Sequence, residues 1–157
     1  MRKSDRKRRM KIKEFAGSHR FLSNFANSSI LVDEKYYPTV EHYFQANKTI
    51  VEAEFEAIRT AETPGRAKRL GRKCTLRPYW DNIKDEVMMK GLRAKFARPE
   101  FRKRLLATGD SILEEGNTWG DVYWGKNITT GEGQNKLGQL LMQLRDEIKD
   151  EERKRVL

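Results

Sequence analysis

Apolar side chains recur at three- and four-residue steps through Ile83, Val87, Met88, Leu92 and Phe96, and again through Leu137, Leu140, Leu141, Leu144 and Ile148. That period predicts two amphipathic helices. The first begins at Asp81, runs for about 15 residues and is separated by Pro99 from a further helix over Phe101 to Thr108; the other begins at Asn135 or Lys136 and reaches about Lys149. Met88 and Met89 read as core filler. Upstream, Val40, Tyr43 and Phe44 predict a helix from Thr39 to about Thr49, with Pro38 ahead of it and Thr39 able to cap it, and Val51, Phe55 and Ile58 predict another over residues 51–60. Arg66 to Leu70 reads as a short basic helix ended by Gly71, and Thr63-Pro64-Gly65 as a turn or as a cap with proline at the first helical position.

Strand signals are sparse. Ile30 to Val32 and Tyr36 to Tyr37 flank Asp33-Glu34 as a short hairpin, and Ile112 to Glu115 reads as a strand or sheet edge. Phe15, Phe21, Leu22 and Phe25 stand among Gly, Ser and Asn as aromatic anchors of an irregular segment. The order of elements predicts an α+β fold, a single, mainly helical domain with a few short β-strands, rather than a βαβ nucleotide-binding sheet.

Length and charge refine this picture. The chain of 157 residues fits one domain, and its formal charge of +10 is unevenly spread. Residues 1–13 hold eight Lys or Arg and one Asp, which leaves 25 basic and 22 acidic residues downstream. The expected organisation is a basic flexible arm over residues 1–13, a globular domain over 14–149 and a charged tail over 150–157. Such an arm can hold phosphate backbones in a salt-dependent way, and a solubilising terminus fits equally well. Without an apolar run of membrane length or a leader-like h-region, the expected location is cytoplasmic, with no membrane partner. One cysteine, Cys74, and two histidines, His19 and His42, supply no convincing metal cluster. Cys74 is read as a small, partly buried residue rather than a nucleophile.

Candidate chemistry concentrates in three places. Pro38-Thr39-Val40-Glu41-His42-Tyr43-Phe44-Gln45-Ala46-Asn47-Lys48 carries a carboxylate, an imidazole and an amine, and the step from Glu41 to Lys48 nearly completes two helical turns. An acid and an amine in so aromatic a setting point to protonation states tuned by burial and by each other, although a solvated ion pair satisfies the same spacing. Trp119, Asp121, Tyr123 and Trp124 crowd one loop, either as a hydrophobic plug or as a stacking platform with a carboxylate beside it. Gly131 to Gly138 precedes a helix whose N–H groups can face phosphate, but it matches neither a Walker sequence nor the dinucleotide fingerprint. Asn135 there fits a plain cap or a ligand contact, and Lys68, Arg69, Arg72 and Arg77 fit a phosphate site or a solvated basic face.

Taken together, Phe21-Leu22-Ser23-Asn24-Phe25, Tyr37 to Ala46, Ala67 to Arg72, Trp119-Gly120 and Asn135 to Met142 resemble the NADAR, or YbiA-like, family in order from about Glu14 to Lys149. The resemblance implies a YbiA-like fold and cleavage of an N-glycosidic bond between ribose C1 and an exocyclic amine, either in phosphoribosylamino-pyrimidine intermediates of riboflavin synthesis or in ADP-ribosylated guanine. It implies Glu41 as general acid/base and Lys48 as a nucleophile through a Schiff base, with direct hydrolysis by Glu41 and Asp121 as the competing route. Substrate contacts fall to Asn24, His42, Arg72, Trp119, Trp124 and Asn135, and neither route needs a cofactor or metal. A nucleic-acid-binding module using the arm and the Trp-rich loop is the alternative from a different class.

Overall fold

A computed structural model of the chain describes residues 9–156. The strands are short and the helices dominate: β1 Lys11–Ile12, a 3-10 helix Gly17–Leu22, β2 Ile30–Val32, β3 Lys35–Tyr37, α1 Val40–Ala46, α2 Glu52–Arg59, α3 Pro64–Lys73, α4 Trp80–Phe96, α5 Pro99–Ala107, β4 Ile112–Leu113, β5 Gly116–Asn117, β6 Lys126–Asn127 and α6 Lys136–Val156. The mainly helical α+β class holds. Two compact units divide the chain, one of residues 20–104 and the other of 9–19 with 105–156.

In the 20–104 unit β2 and β3 form the expected hairpin, with Asp33 at φ 48 and Glu34 at φ 68. Two consecutive left-handed residues match the twist of a tight antiparallel turn. Thr39 caps α1, its hydroxyl accepting the His42 N–H at 3.1 Å. The helix is shorter than its periodicity suggested: it stops at Ala46, where the Asn47 side chain turns back to donate to the Tyr43 carbonyl at 2.7 Å. Local capping by a side-chain amide overrides the apolar period there. Thr63-Pro64 is a cap with proline at the start of α3, since the Thr63 hydroxyl accepts the Arg66 N–H at 3.1 Å. Gly71 does not end α3 as its sequence position suggested. It lies buried inside the helix, where the absence of a Cβ lets the Gln45 side chain of α1 press against the backbone. Tyr37 meets Tyr43 edge-on at 5.3 Å and Phe44 tilts against Trp80 at 5.1 Å, and with Val40, Leu92 and Phe96 they form the core around α1 and α4.

In the other unit β1 pairs in parallel with β4, and β5 pairs in parallel with β6. The end of the segment expected as a basic flexible arm is held in place: Lys11 and Ile12 are strand, and the Arg9 guanidinium donates to the Asp110 carbonyl at 2.7 Å. A neighbouring strand supplies backbone partners that no local pattern announces. The rest of the proposed arm, residues 1–8, lies outside the described residues. The segment after Phe15 is not irregular either, since Gly17–Leu22 forms a 3-10 helix. Leu137, Leu141, Leu144 and Ile148 bury one face of α6, which packs on β4. The same helix continues to Val156 through the segment expected as a charged tail, helped by ion pairs of Arg153 with Asp150 and Arg155 with Glu152. Arg145, only 2% exposed, donates to the Thr108 hydroxyl at 2.9 Å, and Lys149 donates to the Gly109 carbonyl at 2.6 Å, so α6 satisfies the chain just after α5.

Gly91 on α4 provides the tightest test of the α1 packing. A Cβ built there would sit 2.6 Å from Tyr43 Cδ1, too close for any relaxed contact. Gly91→Ala is expected to cost about 1–3 kcal/mol through overpacking, read as a lower urea midpoint at an unchanged slope.

Candidate active site

Every residue of α1 is buried, including Glu41, His42 and Gln45. Its polar side chains must therefore be satisfied within the protein or by a ligand. His42 is satisfied internally. Its Nε2 lies 2.9 Å from the Ala61 carbonyl, which can only accept, so Nε2 carries the proton and Nδ1 accepts from the Thr39 hydroxyl at 2.8 Å. Burial pushes its pKa below 6.5 and outweighs the opposing Ala61 hydrogen bond. Both ring nitrogens are engaged inside the unit, which gives His42 a positioning role for the α1 start rather than the substrate contact implied by the resemblance.

Glu41 is 7% exposed and receives a hydrogen bond from Gln45 Nε2 at 2.8 Å on its Oε1. Its own backbone N–H donates to the Asn24 carbonyl at 3.1 Å, so the Phe21–Phe25 segment anchors the helix start that carries the carboxylate. Two buried acceptors of this unit, Asn24 Oδ1 and Gln45 Oε1, have no hydrogen-bond partner among the described residues. The Asn24 amide reaches only the Met88 sulfur, at 3.4 Å. Gln45 was absent from the sequence-based site; its place one turn after Glu41 was the signal that could have found it.

Lys48 lies just beyond the α1 cap, half-buried, with its ammonium 5.8 Å from the centre of the Phe44 ring. Its backbone is held on both sides, by the Gln45 carbonyl at 3.2 Å and by the Arg77 N–H at 2.7 Å. Burial lowers the Lys48 pKa from its ordinary value, Glu41 and Cys74 oppose that, and Arg72 and Lys68 reinforce it. Desolvation outweighs the carboxylate, which favours the neutral, nucleophilic amine. Cys74 is no rival nucleophile: its thiol donates to the Gly71 carbonyl at 3.2 Å, and burial raises its pKa. In the 20–104 unit Glu41, Lys68 and Arg72 thus lie close enough to Lys48 to act on its charge, Gln45 is bonded to Glu41, and Asn24 holds the start of α1.

In the other unit Asp121 Oδ1 accepts the backbone N–H groups of Tyr123 at 3.2 Å and Trp124 at 2.9 Å. Asn117 clasps the same turn by donating to the Asp121 carbonyl at 2.9 Å and accepting its N–H at 3.2 Å. Trp124 is half-buried and edge-on to Tyr123 at 4.9 Å, whereas Trp119 is 62% exposed. Asn135 is buried at φ 53; it donates to the Leu113 carbonyl at 2.9 Å and accepts the Glu115 N–H at 3.0 Å. These bonds make Asn135 a clip between β4 and Glu115, which differs from the plain helix cap read from its position, since its side chain is spent across the chain rather than on the N–H groups of α6. No cluster of three or more His, Cys, Asp or Glu among the described residues is placed to hold a metal ion, and no helix among them is long and apolar enough to cross a membrane.

Residues 7–149 match the model of the NADAR domain family. The chain is 47% identical over 130 residues to N-glycosidase YbiA of Escherichia coli strain K12, covering 81% of this chain and 80% of that protein. It is 38% identical over 135 residues to N-glycosidase Npun_R5314 of Nostoc punctiforme, covering 82% and 85%. A third relative is the chloroplastic riboflavin biosynthesis protein PYRR of Zea mays, 37% identical over an alignment of 145 residues, covering 81% of this chain and 23% of that protein. The NMR structure of E. coli YbiA superposes with a TM-score of 0.81 at 42% identity, over 91% of this chain and 86% of that one.

The buried imidazole gives a pH test. Because the folded pKa of His42 is lowered, the unfolded state binds the extra proton first on acidification, so stability is present above about 6.5 and falls as pH drops below it. Urea unfolding at pH 7.5 and pH 5 should show that loss in the natural protein and a smaller one in His42→Asn; an equal loss in both would assign the acid sensitivity to other groups.

Proposed function

This chain belongs to the NADAR family and is an N-glycosyl hydrolase, and we propose that it cleaves the bond between C1 of a phosphorylated ribose and an exocyclic amine of a base, with Lys48 as nucleophile and Glu41 as proton carrier. The observation that carries this reading is the half-buried amine whose desolvation outweighs its neighbouring carboxylate. Neutral Lys48 attacks C1 while the C1–N bond to the base breaks, and Glu41 passes a proton to the departing amine. Lys48 loses a proton, the ribose ring oxygen gains one as the ring opens, and a Schiff base links Lys48 to C1. Water then adds to C1 and the bond to Lys48 breaks, returning the amine. The net change is one water consumed, one base amine and one free sugar released.

The cations Arg72 and Lys68 serve two ends in this scheme. They favour the neutral form of Lys48, and they offer positive charge to the substrate phosphate. The direct hydrolytic route is less well supported, because Asp121 Oδ1 already holds two backbone N–H groups and shapes the turn before Trp124. Trp119, an exposed indole of the other unit, offers a surface on which a base can stack. Two substrates share the required linkage, phosphoribosylamino-pyrimidines and ADP-ribosylated guanine, and the riboflavin biosynthesis names of the relatives in Zea mays and Vibrio vulnificus support the first. The reaction needs neither cofactor nor membrane, and a cytoplasmic setting suits its substrates.

Purified protein should release a free sugar phosphate or ADP-ribose from one of these substrates, and borohydride should trap a covalent adduct. Lys48→Ala is expected to abolish the adduct and lower turnover at least 10³-fold, and Glu41→Gln to lower turnover about 10²–10⁴-fold. The rate should rise with pH until Lys48 is neutral, on a limb below the ordinary lysine range. Turnover without any adduct, unchanged in Lys48→Ala, would overturn the Schiff-base route in favour of direct hydrolysis.

A further inference from the structure

Residues 64–79 contain Arg66, Lys68, Arg69, Arg72, Lys73 and Arg77 and no carboxylate. Arg66, Arg69, Arg72 and Lys73 are exposed, and none forms an ion pair with a described residue. This contrasts with other cations of the same unit: Lys35 and Arg59 pair with Glu56, Lys84 with Asp81, Lys90 with Asp33 and Arg98 with Glu100. Steps of three and four residues put Arg66, Arg69 and Lys73 on one face of α3, away from the buried Ala67 and Gly71 that pack inward.

The connector after α3 adds exposed apolar surface. Leu76 is 57% and Tyr79 80% exposed, and Ile50, 70% exposed, lies two residues beyond the point where the Arg77 N–H reaches the Lys48 carbonyl. Tyr79 takes φ 60, a left-handed conformation that a tyrosine rarely adopts. The turn buries Trp80 against Phe44 and leaves the Tyr79 ring outside. An exposed aromatic on a strained backbone, at the end of an uncompensated row of cations, is a feature that packing does not explain.

We propose that the outer face of α3 and the Leu76–Tyr79 connector bind single-stranded nucleic acid, with phosphates along Arg66, Arg69 and Lys73 and a base stacked on Tyr79. The length of the feature selects a polymer. Ten helical residues span roughly 15 Å and the four-residue connector adds at most about 14 Å, whereas a single diphosphate would use two or three cations at one point. Stacking on an open ring favours unpaired bases over a duplex. The connector is tied to the Lys48 carbonyl through the Arg77 N–H, which fixes its path against the 20–104 unit. Binding does not depend on the glycosidic reaction and stands or falls separately from it.

The test is fluorescence anisotropy of a labelled 20-nucleotide oligothymidine with the full chain. The triple variant Arg66→Glu/Arg69→Glu/Lys73→Glu should weaken binding at least tenfold and reduce the salt slope by about 2. Tyr79→Asn, which keeps a residue tolerant of the left-handed backbone, should weaken it at least fivefold. Circular dichroism melts check that both variants stay folded. Unchanged affinity in the triple variant, with loss instead when Arg2, Lys3, Arg6 and Lys7 become Ser, would overturn the proposal in favour of the N-terminal segment. Duplex bound as tightly as single strand would overturn it too, as would co-sedimentation with phosphatidylserine vesicles in the absence of oligothymidine binding.

Discussion

The burial of α1 on all its faces is the constraint from which the candidate site follows. A helix that presents only apolar residues satisfies this condition by packing, but α1 carries Glu41, His42 and Gln45 into the interior. Leaving a buried polar group unpaired costs about 1–3 kcal/mol, so each must be matched in place. His42 is matched completely, by Thr39 and Ala61, and Glu41 is matched by Gln45. Gln45 in turn has room only because Gly71 of α3 presents bare backbone. The close approach of α3 brings Lys68 and Arg72 near Lys48, so the packing that admits the polar helix also sets the electrostatics of the amine.

The early end of α1 matters for the same reason. Had the helix run on to residue 49, Lys48 would be one more side chain on a continuous cylinder. Instead the Asn47 cap ends it, and the chain folds under the Arg77 segment with Lys48 held at both its N–H and its carbonyl. The amine gains a fixed origin at moderate burial, enough for desolvation to lower its pKa while its neighbours pull in both directions. A fixed backbone under a flexible stem reduces the orientational cost of reaching a reacting carbon.

Much of this was legible in the residues. Periodicity located α4 and α6, and Thr39 and Thr63 identified caps, because both signals are local. What escaped was non-local. Lys11–Ile12 became strand through pairing with Ile112–Leu113, a hundred residues away, and Gly71 served a neighbouring helix rather than its own end. Within the candidate site the same division holds: Glu41 and Lys48 stood out by type and spacing, whereas the internal engagement of His42 and Asn135 depends on partners that no spacing reveals.

Asn24 Oδ1 and Gln45 Oε1 are buried acceptors that find no partner among the described residues. Most buried acceptors find a donor, so two exceptions near one carboxylate and one amine call for a physical reason. For Gln45 the reason is the geometry of its amide: with Nε2 committed to Glu41, Oε1 is directed at α3, where the bare backbone of Gly71 leaves it space. For Asn24 the amide nitrogen faces the Met88 sulfur, and its oxygen stays in the core. Both oxygens carry a desolvation cost inside the fold, so the carboxylate of Glu41 is held in place by a partner that is itself only half satisfied.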